Sequence, residues 1–250
     1  MIFPTIFPPS ISAGFSTRQG GVSQPPFDSL NLGLSTADSK ESVRKNRAIA
    51  AASLGLTEAD MAIAGQVHGA DVLTVTEPGL FPGFDGLVTR TPGLLLSISA
   101  ADCAAVLLAD PVAGVIGACH AGWRGHVAGI ERNTLQAMVA LGASPTHIRA
   151  FIGPCISQKN FEVGDEVAVQ FDDGFVERNV STGKAHVDLS GSIMASLMKG
   201  GVLHPNLEQS PLCTFQETDQ LFSYRAQKGK TGRMMGMICI RPALSASKER

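Results

Sequence analysis

The sequence predicts an α/β (α+β) protein built from mixed β-sheets flanked by helices, and three observations point there. Strand-like apolar blocks outnumber helical patterns. Several of these blocks follow one another through short turns, so strand and helix do not strictly alternate. The most apolar region, residues 93–123, is cut by Asp102, Asp110 and Pro111 into short blocks suited to fully buried strands.

Taken in order, residues 10–17 alternate as a strand does, and a polar glycine- and proline-containing loop covers 18–35. Ser39 is placed to cap a helix running to Leu54 and stopping at Gly55. Residues 62–67 and 71–76 read as neighbouring strands separated by His68-Gly69-Ala70. Further strands are expected over 86–89, 94–99, 104–109 and 115–119. A helix over 126–141 presents Val127, Ile130, Thr134, Met138 and Leu141 on one face and ends at Gly142. Residues 148–152 form a strand that leads into Gly153-Pro154-Cys155. Residues 162–171 and 189–199 read as helices, and 222–225 and 235–240 as closing strands. The end, 245–250, is expected to fray.

The 250 residues fit one domain spanning 1–250. With 44% hydrophobic and 17% charged residues, the chain is too apolar for disorder. Its net charge of -2 and lack of a basic run argue against a nucleic-acid partner. The N-terminus lacks a basic region and is broken by prolines, so a signal peptide is not expected. No uncharged stretch reaches the roughly 18–20 residues needed to cross a bilayer. The five cysteines are scattered with no C-x-x-C pair, which favours a reducing, cytoplasmic setting over a disulfide scaffold.

The candidate chemistry lies at strand ends. His120-Ala121-Gly122-Trp123-Arg124-Gly125 follows an apolar strand and opens into a helical pattern, a place where backbone amides face a crevice in α/β proteins. Gln66-Val67-His68-Gly69 and Ala101-Asp102-Cys103 occupy similar positions. His68, Cys103 and His120 therefore suit a metal held by three ligands with an open fourth position, as catalytic zinc is. On spacing alone, a small core cysteine and two turn histidines bonded to backbone is the stronger reading. His126 is the nearest fourth ligand by sequence but is expected to face out from its helix. Cys119 alternates away from His120 and reads as core packing, as do Cys213 and Cys239; Cys155 is left open between site and structure.

Asp102 is a candidate general acid or base, or a residue orienting Cys103; a turn aspartate capping backbone amides is the other reading. Arg124, near a helix start, is a candidate for holding phosphate in catalysis, or else a surface ion-pair partner. Arg18, Asn31, Arg47, Tyr224 and Arg225 are polar candidates for a substrate pocket. Trp123 and Tyr224, each followed by arginine, could offer a flat ring beside a cation.

A long ordered set of segments carries a family resemblance. It runs through Gly14-Phe15-Ser16-Thr17-Arg18-Gln19-Gly20-Gly21-Val22-Ser23, Ser29-Leu30-Asn31-Leu32-Gly33, Asn46-Arg47, Gln66-Val67-His68-Gly69 and Asp85-Gly86-Leu87-Val88-Thr89. It continues through Ala101-Asp102-Cys103, the His120–Gly125 segment, Ile152-Gly153-Pro154-Cys155-Ile156, Phe161-Glu162-Val163-Gly164, Phe222-Ser223-Tyr224-Arg225 and Thr231-Gly232-Arg233. From about Gly14 to Ile240 the chain resembles the YfiH family, also called laccase-domain or polyphenol-oxidase-like. The resemblance implies a layered α/β sandwich and zinc, with copper as the alternative, on His68, Cys103 and His120. It also implies phosphorolysis of purine nucleosides, including methylthioadenosine, with adenosine deamination as a side activity. The turn Gln24-Pro25-Pro26-Phe27-Asp28 departs from the family's glycine-proline-tyrosine form.

The same resemblance offers an alternative, a peptidoglycan-editing amide hydrolase that removes serine from a UDP-muramyl precursor. A multicopper oxidase is disfavoured: six histidines, none in a His-x-His pair, are too few for its several copper sites. A metal-free thiol enzyme using Cys103 with His68 or His120 as base, and a structural zinc protein with four ligands, are the remaining rivals. Purine nucleoside and phosphate are the expected partners, with neither nucleic acid nor membrane among them.

Overall fold

The structure is a computed structural model and describes residues 1–242. The expected fraying of 245–250 therefore lies outside the described residues. In chain order the strands are β1 (Ile11–Phe15), β2 (Met61–Gly65), β3 (Val72–Thr74), β4 (Gly79–Pro82), β5 (Gly86–Thr89), β6 (Leu95–Ala100) and β7 (Ala104–Asp110). They continue with β8 (Val115–Ala121), β9 (Arg149–Ile152), β10 (Glu162–Val163), β11 (Val176–Arg178), β12 (Ala185–Val187), β13 (Leu207–Gln209) and β14 (Met234–Ile240). The helices are α1 (Lys40–Ala52), α2 (Trp123–Val127), α3 (Ile130–Ala140), α4 (Asp165–Ala168) and α5 (Leu189–Lys199).

Two large mixed sheets stack face to face, in the orders β1-β14-β6-β2-β4 and β13-β9-β7-β8-β5-β3; a small sheet β10-β12-β11 stands beside them. The period-2 alternation of β7 explains the layering. Ala105, Leu107 and Ala109 join Leu96 and Ile98 of β6 in the core between the large sheets. Ala104, Val106 and Leu108 face the other way, against Ile130, Leu135 and Met138 of α3 and Ile193 and Leu197 of α5. On the outer face of the five-stranded sheet, Met61, Leu95 and Met237 pack with Ala50 and Ala51 of α1. The result is the expected layered sandwich, helix–sheet–sheet–helix. Because β7 and β8 are buried on both faces, their sequences read as continuous apolar runs.

Ser39 caps α1 as expected, its hydroxyl accepting from the Ser42 amide at 3.4 Å. Four expectations are corrected. The strands expected as neighbours around His68 belong to different sheets: β2 pairs with β4 and β6, whereas β3 pairs with β5. The turn between them carries the chain from one layer to the other. The helix expected over 126–141 is two helices, because Gly129 adopts a left-handed φ of 89° and restarts the chain as the cap of α3. Val127 is consequently exposed, and Leu141 is half-buried.

Residues 162–171 form β10 and a four-residue helix rather than one long helix, since Gly164 holds an extended backbone between them. Residues 222–225 join no strand. Phe222 is buried, and the chain turns at Tyr224, whose carbonyl accepts from the Gly229 amide at 2.9 Å. The short strands β4 and β10 to β13 carry too few residues for a periodicity to register.

Candidate metal centre

Two loops and one strand converge at one end of the sandwich. His68 lies in the turn after β2, Cys103 in the bend between β6 and β7, and His120 on β8, opposite Ala105 of β7. Their ligand atoms all lie within 4.8 Å of one another, and this is the one such cluster found among the described residues. The imidazoles meet edge to face, with ring centroids 4.8 Å apart at 78°. His68 is exposed, Cys103 half-buried and His120 buried, so the cluster opens to solvent on one side.

Asp85, fully buried just before β5, organises two of these three residues. It accepts from the backbone amides of Val67 at 2.9 Å, His68 at 3.0 Å and Gly69 at 2.8 Å. Its Oδ1 also bonds His120 Nδ1 at 2.8 Å, which turns Nε2 of that ring toward the cluster. Burial alone raises the Asp85 carboxyl, but the His120 imidazole and the turn amides outweigh it and hold the carboxyl below its ordinary value. The turn that these bonds anchor places His68 at a left-handed φ of 62°.

The second left-handed residue at the site is Asp102, at φ 86°. Its Oδ1 accepts from Thr214 Oγ1 at 2.6 Å and Ser223 Oγ at 2.7 Å, and its Oδ2 from the Arg225 amide at 2.6 Å. Asp102 thus ties the 213–225 segment to the bend that presents Cys103, and this is why residues 222–225 turn away instead of forming a strand.

Burial raises the Cys103 thiol, yet the charge of His120 and hydrogen bonds from both imidazoles prevail and bring it down to about 6. In return His120, which burial lowers, is raised by Cys103 and Asp85 to about 9. A thiolate is the form that ligates metal. A donor set of two imidazoles and one thiolate fits zinc or copper, and His68, Cys103 and His120 would hold such an ion with three ligands. The cradle is tailored: a Cβ on Gly122 would stand 2.8 Å from Cys103 Sγ and 3.4 Å from His68 Cδ2.

The remaining candidates fall into distinct places. Trp123 is half-buried on one side of Gly122, and the exposed Arg124 guanidinium lies 4.3 Å over its ring. On the Asp102 side stand Tyr224, 54% exposed, and Arg225, whose Nη1 donates to the Glu162 carbonyl at 3.0 Å. Arg18 is engaged with Asp28 and the Thr218 carbonyl and lies over Phe222. Arg47 is buried, donating through Nε to the Leu32 carbonyl at 2.9 Å. Asn31, expected to line a pocket, is fully buried instead. Its amide bonds Thr36, Asp38, Gly33 and the Arg233 backbone, leaving no group for a ligand.

His126 does not face out: it bonds Glu131 at 2.9 Å and Ser192 at 2.7 Å and stacks on Phe171, apart from the metal cluster. Cys119 is core as expected, and burial pushes its thiol up. Cys155 is buried beside Cys213, and burial raises its thiol to about 12. Asp85, Gly122 and Arg233 lie in segments that carry the family resemblance, but the sequence assigns none of them a role at the site. An acid immediately before an apolar strand was the available signal for Asp85.

Comparison with known proteins agrees with this fold. Residues 12–241 match the family model described as multi-copper polyphenol oxidoreductase laccase. A purine nucleoside phosphorylase of Deinococcus radiodurans is 45% identical over 234 residues, covering 92% of this chain and 89% of that one. The crystal structure of YlmD from Geobacillus stearothermophilus is 33% identical, with a TM-score of 0.90 over 96% of this chain and 94% of that one. That of the Bacillus licheniformis hypothetical protein YfiH is also 33% identical, with a TM-score of 0.86 over 92% and 93%.

Proposed function

Because the chain belongs to the YfiH-type family described as multi-copper polyphenol oxidoreductase laccase, with relatives named purine nucleoside phosphorylase, we propose that it is a metal-dependent purine nucleoside phosphorylase. In this reading inosine, adenosine, guanosine or methylthioadenosine reacts with phosphate to give the free base and the ribose 1-phosphate. The observation that carries the metal's part is the meeting of His68, Cys103 and His120 within 4.8 Å around an open side. Zinc is the ion we assign. When bound, it supplies a Lewis acid at the coordination position that the protein leaves open.

The chain's own residues supply positioning and charge. A phosphate oxygen attacks the ribose anomeric carbon as the bond to the purine nitrogen breaks, and the bonding electrons leave with the base. The rims around Gly122 and Asp102 offer rings and cations for these two reactants: Trp123 with Arg124 on one side, Tyr224 with Arg225 on the other. Asp102 receives three donors, so we assign it to positioning Cys103 rather than to proton transfer. Arg18 and Arg47, both engaged with the protein, are assigned to shaping the pocket wall. Adenosine deamination is proposed as a side activity of the same centre. The five free cysteines suit a reducing cytoplasm, and no helix among the described residues is long and apolar enough to cross a membrane.

A multicopper oxidase needs separate copper sites, and among the described residues one ligand cluster is formed. The test is a nucleoside panel with and without inorganic phosphate, alongside a UDP-muramyl-serine substrate. Hypoxanthine and ribose 1-phosphate formed from inosine only with phosphate support the reading. Serine release with no base release would replace it with amide hydrolysis.

A further inference from the structure

Arg233 stands just before β14, and the pairing of Met234 with Ala100 places it across from Ala101, one residue before Asp102. It also stacks on the Tyr224 ring, 5.4 Å from the centroid. Tyr224 is itself flanked by Ser223 and Arg225, both of which donate to the Asp102 carboxylate. Two independent contacts therefore bring this cation to the bend that carries Cys103.

The side chain is held but not neutralised. Its backbone amide donates to Asn31 Oδ1 at 2.8 Å, and Nη1 donates to the Thr231 and Gly232 carbonyls, each at 2.9 Å. Gly33 makes room for it, since a Cβ there would stand 2.6 Å from Arg233 Cγ. Arg233 takes part in none of the ion pairs among the described residues, and neither Nε nor Nη2 has a protein acceptor there. Burial pulls the guanidinium below its ordinary value, while Tyr224, Asp102 and Cys103 act in the opposite sense. Among the described residues Glu131 Oε2 is the one buried side-chain polar atom without a partner, so the free edge of Arg233 meets solvent and is open to an anion. Arg124 and Arg225 differ: both are exposed, and Arg225 already donates to Glu162.

We propose that Arg233 binds the phosphate co-substrate, its free Nε–Nη2 edge taking two phosphate oxygens beside the Tyr224 ring. A guanidinium fork matches a phosphate dianion in geometry and charge, which an uncharged nucleoside does not. The inference rests on the phosphorylase reading and adds the phosphate-binding residue to it.

The test measures inorganic phosphate binding by calorimetry and the KM for phosphate and for inosine, in metal-loaded wild type, Arg233→Gln and Arg233→Lys. Arg233→Gln should weaken phosphate binding and raise its KM about tenfold or more, with inosine KM and metal content within about twofold of wild type. Arg233→Lys should recover part of the loss. Wild-type phosphorolysis combined with an unchanged phosphate KM in Arg233→Gln overturns this assignment alone. A wild type that neither binds phosphate nor needs it overturns the phosphorylase reading as well. Should Arg233→Gln fail to fold, phenylglyoxal labelling of wild type decides: phosphate should protect Arg233, and equal labelling with and without phosphate rejects the proposal.

Discussion

Asp85 Oδ1 lies 2.8 Å from His120 Nδ1, and the same carboxylate holds the amides on either side of and at His68. One buried side chain thus aims one ligand ring and fixes the turn that presents another. Asp85→Asn keeps the shape but replaces an acceptor oxygen with a donor facing backbone N–H groups. Zinc affinity, measured by competition with a chromophoric chelator, should fall roughly 10–100-fold. Affinity unchanged from wild type would remove Asp85 from the centre.

Gly122 has an ordinary φ of -77°, so its need for glycine is steric. Gly122→Ala should leave the fold intact by circular dichroism while a methyl 2.8 Å from Cys103 Sγ displaces the thiol. Bound zinc after dialysis is expected well below one equivalent. Full occupancy would show that the cradle is looser than its geometry.

The lowered thiol of Cys103 gives a reactivity prediction. In metal-free protein its alkylation by iodoacetamide should rise with pH through a midpoint near 6, and zinc should suppress it. A thiol depressed on folding adds stability above its unfolded value and loses it as pH falls through about 6. An imidazole raised on folding adds stability below its unfolded value of 6.5 and loses it as pH rises through about 9. Here one proton has in effect moved from Cys103 to His120. Between about 6.5 and 9 the folded and unfolded pair bind equal numbers of protons, so the pair leaves metal-free stability flat in that window. An alkylation midpoint near the ordinary thiol value would contradict the pairing.

Asp102 combines a left-handed backbone with three accepted hydrogen bonds. Asp102→Ala strands the Thr214, Ser223 and Arg225 donors and puts alanine at a disfavoured φ; about 3 kcal/mol should be lost in urea unfolding. Asp102→Asn tolerates that φ and keeps one acceptor, so it should lose less. Equal losses would mean that backbone conformation contributes little.

What the sequence conveyed and what it withheld follow from the range of the interactions. His68, Cys103 and His120 were legible because each sits at the end of an apolar block, and strand ends are where distant residues converge. The layering was legible because β7 and β8 are apolar on both faces. Asp85 was not, since its role depends on strands of two sheets meeting around it. Local pattern also missed the break at Gly129, where one left-handed glycine outweighs a helical stripe on both sides. Residues 222–225 look like a strand, but their donors are taken by Asp102, more than a hundred positions away. Asn31 looked like a pocket residue because a buried polar knot and an exposed polar contact have the same local sequence.

Inosine phosphorolysis should be followed in protein stripped of metal and then titrated with zinc. Activity should vanish on stripping and return in proportion to zinc, reaching its plateau at one ion per chain, with His68→Ala unable to recover. Full activity in the stripped protein would contradict a catalytic ion held by His68, Cys103 and His120.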